Sequence, residues 1–217
     1  TLFNWQASGV FKPSPATTLY VSYATSANPS GEQLDGNGAS YDGISSDTID
    51  FSPEKNTSWE AGAKAELFGG NLLLTAAAFR IEKDNARESG GRGQPYTNVG
   101  TLRSQGVELG FAGTVADRIK LFGGYTYTDA TITESANPGN VGRRFANIPQ
   151  HTAQLLATVM VTSRFEIGGQ VYYQDEMYGG SQLAGTAAIH PNGQMNRSSR
   201  CRAPGNTSSG YRAKAAP

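Results

Sequence analysis

The fold is decided by one stretch of the chain, Trp59-Glu-Ala-Gly-Ala-Lys-Ala-Glu-Leu67, then Phe68-Gly-Gly-Asn71, then Leu72-Leu-Leu-Thr-Ala-Ala-Ala-Phe-Arg-Ile-Glu-Lys-Asp-Asn85. In its first part apolar residues alternate with polar residues or glycine. That period is typical of a β-strand, whose successive side chains point to opposite faces. The Gly-Gly-Asn sequence favours a tight turn. The stretch therefore predicts two antiparallel strands joined by a hairpin, each with one apolar face.

The alternation also predicts which side chains share a face of this hairpin. The predicted apolar face carries Trp59, Ala61, Ala63, Ala65 and Leu67 from the first strand, and Leu73, Thr75, Ala77, Phe79 and Ile81 from the second. The predicted charged face carries Glu60, Lys64, Glu66, Arg80 and Glu82. The apolar face then meets either a protein core or lipid, and the charged face meets either solvent or a polar lumen.

Six further strands are predicted around the hairpin from the same period of two. They cover about residues 4–12, 18–25, 96–113, 119–131, 151–161 and 165–177. The connections alternate in length. They are short at residues 13–17, 69–71, 115–118 and 162–164, and longer at about 26–57, 86–95, 132–150 and 178–195. In an up-and-down meander every second connection lies at the same end, so the short turns share one end and the long loops the other. Outer-membrane β-barrels show this asymmetry.

The composition agrees with a barrel in lipid. Only 37% of the residues are hydrophobic, and the chain contains 27 glycines. The predicted apolar faces are rich in Ala, Gly and Thr, whereas a packed soluble core more often uses Ile, Leu and Val. The chain has no continuous apolar run of about 18 residues, so a transmembrane helix is excluded. We predict an all-β fold, a partial antiparallel up-and-down transmembrane β-barrel of about eight strands. A soluble sandwich or barrel alternates in the same way and stays an alternative.

Five segments of the chain resemble a known family when they are taken together and in order. They are Phe51-Ser-Pro-Glu-Lys-Asn-Thr-Ser-Trp-Glu-Ala-Gly-Ala-Lys64; Leu74-Thr-Ala-Ala-Ala-Phe-Arg-Ile-Glu-Lys-Asp-Asn-Ala-Arg87; Tyr96-Thr-Asn-Val-Gly100 with Arg103-Ser-Gln-Gly-Val-Glu-Leu109; Gly124-Tyr-Thr-Tyr-Thr-Asp-Ala130; and Asn147-Ile-Pro-Gln-His-Thr152. The set resembles the barrel of TonB-dependent siderophore receptors over about residues 2–195. Within that family it is most similar to receptors of the catecholate type.

The resemblance implies a barrel of about 22 strands with a plug in its lumen. This chain would supply about eight strands of the C-terminal part of that barrel, as one domain over residues 1–195. Residues 196–217 are basic, rich in Ser and Arg, and lack strand alternation. We therefore expect an unstructured or out-of-frame tail there. We also expect a truncated chain, because it starts without a signal peptide and lacks the plug.

The resemblance further implies a function for the complete protein: active, TonB-energised import of a ferric siderophore across the bacterial outer membrane. The implied partners are the ferric siderophore, TonB through N-terminal regions missing here, and outer-membrane lipid and lipopolysaccharide. No enzymatic activity, nucleic acid or resident cofactor is expected, since the iron arrives already chelated by the siderophore. Three alternatives stay open. They are a passive porin-like or adhesin barrel, a soluble ligand-binding β-protein, and a truncated chain with no activity of its own.

Candidate ligand-binding residues follow from the chemistry of ferric catecholates, which are bulky and anionic. A site for them needs Arg or Lys for charge and aromatic rings for stacking, carried by outward loops. Arg143 and Arg144 lie in one long predicted loop, and Tyr41, Tyr96 and Tyr178 lie in or beside long loops. The alternative is that these are ordinary rim residues, because Tyr is common in interfacial girdles and paired arginines suit lipopolysaccharide.

The sequence offers no other chemistry of comparable weight. His151 and His190 are interpreted as solvated polar residues of a strand mouth and a loop. Cys201 is the single cysteine, which excludes an intramolecular disulfide and a cysteine-based metal site. The segment Gly90-Gly-Arg-Gly93 lacks the Lys-Ser/Thr of a phosphate loop. The acidic segment Asp35–Asp50 lacks the ligand ladder of an EF-hand.

Overall fold

The computed structural model describes residues 2–29, 51–89, 96–179 and 188–189. In these residues eight strands form one antiparallel sheet whose order follows the chain. They are β1 (Trp5–Ser14), β2 (Thr17–Asn28), β3 (Glu54–Leu67), β4 (Leu72–Ser89), β5 (Tyr96–Val115), β6 (Ile119–Glu134), β7 (His151–Thr162) and β8 (Phe165–Gln174). Two short strands, β9 (Met177–Tyr178) and β10 (Ala188–Ile189), pair with each other. The predicted eight-stranded up-and-down sheet is confirmed. Within the same ranges, no helix is long and apolar enough to cross a membrane.

Four short turns lie at one end of the sheet and the long connections lie at the other, as predicted. The β3–β4 turn is a single 3₁₀ turn over Phe68–Gly70. In the β5–β6 turn, Ala116 and Asp117 have φ of 51° and 56°. Two successive left-handed residues give a hairpin turn whose twist matches that of the flanking strands. We call the two ends of the sheet the turn end and the loop end.

Strands β4 and β6 run further toward the loop end than the alternation predicted. Residues 86–89, predicted as loop, belong to β4, which ends at Ser89. Asn85 adopts a left-handed conformation with φ of 55°, and the register with β5 shifts there before Ala86 pairs with Gly100. Such a bulge breaks the period of two without ending the strand. The chain therefore looks irregular in sequence where its pairing in fact continues.

The pairing register assigns every strand residue to one of two faces, because directly opposite residues point to the same side. Trp59 lies opposite Tyr23 and Arg80, and Ala63 lies opposite Leu19 and Ala76. The first face is mostly apolar and includes Trp5, Ala7, Phe11, Leu19, Val21, Tyr23, Trp59, Ala61, Ala63, Leu74, Ala76, Ala78, Val107, Leu109, Phe111, Tyr125, Ala153, Leu155, Ile167 and Val171. The second includes Ser8, Tyr20, Glu60, Lys64, Thr75, Ala77, Glu108, Lys120, Thr126, Gln154, Glu166 and Gln170. We call them the apolar face and the polar face.

The face predicted for β4 is wrong. Ala77 lies opposite Gly62 and Glu108, on the polar face, whereas Arg80 lies opposite Trp59, on the apolar face. The polar face also carries Leu73, Thr75, Phe79 and Ile81, which share the phase of Ala77. Glu82 shares the phase of Arg80 and lies on the apolar face. The reason is that Leu72–Leu74 and Ala76–Ala78 are uniform runs in which alternation carries no phase. The phase is set by the turn, which pairs Leu67 with Leu72.

The sheet is a single layer with almost no core. Among the described residues the buried hydrophobic side chains are Ala86, Ala130 and Ile132, all at the loop end. Large side chains on the apolar face are exposed. Leu109 is 52% exposed and Val171 67% exposed. A soluble sheet buries its apolar face against a second layer, so this arrangement disfavours the soluble alternative.

Rings on the apolar face form a row near the loop end. The ring centroids of Trp5 and Tyr23 are 4.8 Å apart, and those of Tyr23 and Trp59 are 4.3 Å apart. Further along, Tyr125 bonds to His151 Nδ1 at 2.8 Å through its hydroxyl group. Rows of this kind are typical of the interfacial girdles of membrane barrels.

Candidate ligand-binding site at the loop end

The β6–β7 loop, residues 135–150, folds back along the loop end of β6. The amide of Gly142 donates to the carbonyl oxygen of Ile132 at 2.8 Å, the amide of Ile132 donates to Arg143 O at 2.9 Å, and the amide of Phe145 donates to Ala130 O at 3.0 Å. Strand β7 reaches only Tyr127 of β6. The loop segment 142–146 therefore occupies the position beside β6 that β7 leaves open.

This pairing brings together two of the predicted residues, Arg144 and Tyr178. Arg144 bridges Thr131 of β6, Ala146 bridges Tyr178, and the amide of Asn147 donates to Tyr178 O at 2.9 Å. The guanidinium carbon of Arg144 lies 5.3 Å from the centre of the Tyr178 ring. At this distance the cation is attracted by the face of the ring.

Arg143 points away from that pair. Successive residues of an extended, paired segment face opposite sides, and Arg144 is beside Thr131, on the extension of the apolar face. Arg143 is therefore beside Ile132, on the extension of the polar face. The two neighbouring arginines therefore lie on opposite faces of this segment.

Both arginines nevertheless retain unused donors. Nε of Arg143 and Nη2 of Arg144 are buried, and neither has a hydrogen-bond partner within the described part of the chain. A buried N–H of this kind is normally paired. Each therefore suits an acceptor from outside the described residues, such as an anionic ligand.

Of the other predicted residues, the structure describes only the backbone of Tyr96. Tyr96 is the first residue of β5, and its backbone pairs with Ser89. Tyr41 lies outside the described residues, as do His190, Cys201 and residues 196–217.

Two arginines at the loop end were missed by the sequence interpretation. Nε of Arg87 and Nε of Arg103 are also buried without a partner among the residues that the structure describes. Arg103 lies opposite Thr131 and so shares a face with Arg144. Arg87 was placed in a loop, and Arg103 was taken as part of a strand wall. The signal available in the sequence was the concentration of arginine at the loop ends of the strands, beyond the part of the sheet whose apolar face meets its apolar surroundings.

The return of the β2–β3 connection is fastened to β4 and β5 by two asparagines. Asn85 Nδ2 donates to Pro53 O at 3.1 Å. Asn98 Nδ2 donates to Ser52 O at 3.1 Å and to Asn85 O at 2.6 Å. The bulge at Asn85 thus also fixes the entry into β3.

Glu54 adds a charged contact at the same entry into β3, between the loop end and Trp59. Lys83 Nζ lies 2.8 Å from Glu54 Oε2, and the amide of Arg87 donates to Glu54 Oε1 at 3.1 Å. Burial raises the pKa of the Glu54 carboxyl, but these two hydrogen bonds and the positive charges of Lys83 and Arg87 outweigh it. The net result is a pKa below the ordinary value.

Acid is expected to weaken the contacts of Glu54 with Lys83 and Arg87. Because the folded-state pKa of Glu54 is depressed, its contribution is present at neutral pH and is lost as the pH falls through the folded pKa. We expect the wild type to resist cleavage by an acid-active protease several-fold better than Glu54→Gln at about pH 6, and this advantage to shrink as the pH falls below the ordinary carboxyl pKa. The measurement is the cleavage rate near residues 51–54 as a function of pH. An advantage over Glu54→Gln that does not change with falling pH would contradict the assignment.

A family model described as "TonB dependent receptor-like, beta-barrel" matches residues 1–211. The chain belongs to this family. It is 33% identical over 186 residues to the probable TonB-dependent siderophore receptor PiuA of Acinetobacter baumannii, covering 81% of this chain and 25% of PiuA. It is 31% identical over 190 residues to the catecholate siderophore receptor Fiu of Escherichia coli K12, covering 87% of this chain and 25% of Fiu. The chain thus spans about a quarter of the length of these relatives.

Solved structures agree with the family assignment. The crystal structure of PiuA superposes with a TM-score of 0.74 at 33% identity, over 86% of this chain and 27% of PiuA. The closed form of the ferric-catecholate import receptor Fiu gives a TM-score of 0.70 at 30% identity, over 83% of this chain and 26% of Fiu. The predicted family and fold class are confirmed, and the family is one of receptors rather than enzymes.

Membership gives the two faces of the sheet their environment. In a TonB-dependent receptor barrel the apolar face meets lipid and the polar face lines the lumen. Arg143 then belongs to the luminal side of the loop end. Arg144, Tyr178 and Arg103 belong to the outward side, beyond the row of Trp5, Tyr23 and Trp59.

Proposed function

We propose that this chain is the C-terminal part of the barrel of an outer-membrane receptor that imports a ferric siderophore, driven by TonB. The observation that carries the proposal is the similarity to siderophore receptors over 81–87% of the chain, at 31–33% identity to Fiu and PiuA. TonB is proposed to act through N-terminal regions outside this chain. The iron is substrate, carried inside its chelator, and no resident cofactor is proposed.

We propose Arg143 as the first ligand contact among the described residues. It faces the lumen mouth, and its Nε is buried and unpaired. A ferric catecholate complex carries negative charge on its oxygens, and charge-assisted hydrogen bonds from guanidinium suit that charge. The relative named as a catecholate siderophore receptor supports this ligand class.

The remaining candidates are proposed as further contacts on the loops. Tyr41, Tyr96 and Tyr178 supply aromatic faces for stacking, and Arg144 holds its charge over the Tyr178 ring. Because Arg144 and Tyr178 point outward, the pair also suits a phosphate of the surrounding lipopolysaccharide. Outer-membrane lipid and lipopolysaccharide are thus proposed partners of the outward side.

Reversing the charge at Arg143 tests the proposed ligand contact. In the receptor that contains this chain, Arg143→Glu is expected to raise the Kd for a ferric tris-catecholate complex about 10- to 100-fold. That corresponds to about 1.4–2.7 kcal/mol, the range of a hydrogen bond to a charged group. The measurement is binding of the radiolabelled complex to outer membranes, with receptor abundance quantified in the same samples.

Arg164→Glu is the matched control, since it makes the same change at an exposed arginine of the β7–β8 turn, at the turn end of the sheet. We expect a smaller effect there, below about threefold in Kd. Equal losses for the two variants would argue against Arg143 as a ligand contact. Uptake that persists in cells lacking TonB would instead favour the passive porin-like alternative.

A further inference from the structure

We infer that Glu88 is a positioning residue: it anchors the β6–β7 loop over the lumen mouth and so fixes where Arg143 stands. The consequence for ligand binding rests on the proposed function, whereas the anchoring itself does not. Glu88 falls within residues 86–95, which were predicted as a loop, and no part of the proposed uptake uses it.

The carboxylate of Glu88 is buried and holds the start of the loop. Glu88 is 8% exposed. Its Oε2 accepts from Ser135 Oγ at 2.8 Å and from the amide of Ala136 at 3.1 Å. Ser135 Oγ in turn accepts from the amide of Asn137 at 3.1 Å. One acid on β4 therefore fixes three successive loop residues that are more than 45 positions away in the chain.

The space for this contact comes from a glycine on the strand between β4 and β6. A Cβ at Gly100 would lie 2.7 Å from Glu88 Oε1 and 3.2 Å from its Cγ. The Glu88 side chain can therefore lie across β5 only because residue 100 has no side chain. Ala86, which pairs with Gly100, is 2% exposed. The loop thus covers the polar face, which is the luminal face of the barrel.

A short path of contacts leads from the anchor to Arg143. The 3₁₀ turn Pro138–Asn140 follows Asn137, and Asn140 is 5% exposed. The amide of Asn140 donates to Asn137 O at 2.9 Å, and the amide of Arg143 donates to Asn140 O at 3.1 Å. Residues 135–137 are therefore linked to Arg143 through one hydrogen-bonded turn.

The charge of Glu88 matters as well as its shape. One carboxylate oxygen accepts two hydrogen bonds, and such bonds are stronger when the acceptor is ionised. Glu88→Gln keeps the size and an oxygen acceptor but removes the charge. Glu88→Ala removes the acceptor altogether. The two variants form a graded series.

The test measures the loop and the ligand separately in the complete receptor. For Glu88→Ala we expect hydrogen exchange at the Ala136 amide to quicken at least about tenfold. The Kd for a ferric tris-catecholate complex should rise about tenfold, with the number of binding sites per receptor unchanged. Glu88→Gln should be intermediate in both. Glu82→Ala, which removes an acid of the same strand that pairs with Arg80 on the other face, should change neither.

Each outcome decides a separate part of the inference. Unchanged exchange at Ala136 in Glu88→Ala overturns the anchor. Faster exchange with an unchanged Kd, in a receptor where Arg143→Glu does weaken binding, overturns the link to the ligand. If the wild type binds no ferric siderophore, the proposed function fails, and the exchange measurement still decides the anchor. Gly100→Ala displaces the carboxylate without removing it. It should reproduce both changes if Glu88→Ala assembles poorly.

Discussion

Replacing Ala76 with Arg is expected to prevent assembly of the barrel, whereas the same replacement at Ala77 is expected to be tolerated. Ala76 lies opposite Ala63 and Leu109 on the lipid-facing side. An arginine there costs about 2–4 kcal/mol near the bilayer midplane. Ala77 lies between Gly62 and Glu108 on the luminal side, where a cation meets water and a carboxylate. Two neighbouring residues with the same side chain thus differ only in the face they occupy.

The amounts of folded receptor in the outer membrane measure this difference. Folded barrels resist protease and migrate differently on gels until they are heated, so both properties can be compared with the wild type. We expect Ala77→Arg to reach wild-type levels and Ala76→Arg to be lost. The reverse result would restore the face that alternation alone predicted for β4.

Gly106→Ala is expected to disrupt the pairing of β5 with β6, because its methyl group would enter space that backbone occupies. A Cβ at residue 106 would lie 1.9 Å from the carbonyl oxygen of Tyr127 and 2.9 Å from the ring of Phe79. The ring can turn aside, but the carbonyl belongs to the neighbouring strand. We expect a loss of at least about 3 kcal/mol, the upper end of the usual cost of overpacking.

Gly169→Ala is the matched control, since a Cβ there would meet nothing within 4 Å. Denaturant unfolding of the receptor in lipid vesicles provides the measurement. The Gly169→Ala variant should unfold within about 0.5 kcal/mol of the wild type, as surface changes do. A Gly106→Ala variant of wild-type stability would contradict the close pairing of β5 with β6 at this position.

Most of the architecture could be predicted because the period of two is a local property of the sequence. Alternation placed eight strands, and the sequence of short and long connections placed all turns at one end. The phase of β4 could not be predicted, since Leu72–Leu74 and Ala76–Ala78 read equally well in either phase. Only the pairing of Leu67 with Leu72 across the turn decides it.

The site was predicted less completely because its geometry depends on contacts distant in sequence. Residue type singled out Arg144 and Tyr178, which the fold does bring together. Residue type alone could not show that Arg143 faces the side opposite to Arg144, since that follows from the pairing of residues 142–146 with β6. Glu88 was hidden for a similar reason: the bulge at Asn85 made the end of β4 resemble a loop.

The segment 142–146 has a consequence for exchanging loops between receptors of this kind. It pairs with β6 as a strand would, rather than forming a free connection. Within the described residues, β6 has no other neighbour on that side from Ala130 to Ile132. A graft that replaces the whole connection would leave the backbone of β6 open there, and open edges recruit other chains. A graft confined to residues 135–141 keeps the segment 142–146 paired with β6. The boundary for exchanging this loop without exposing the edge of β6 therefore falls at Gly142.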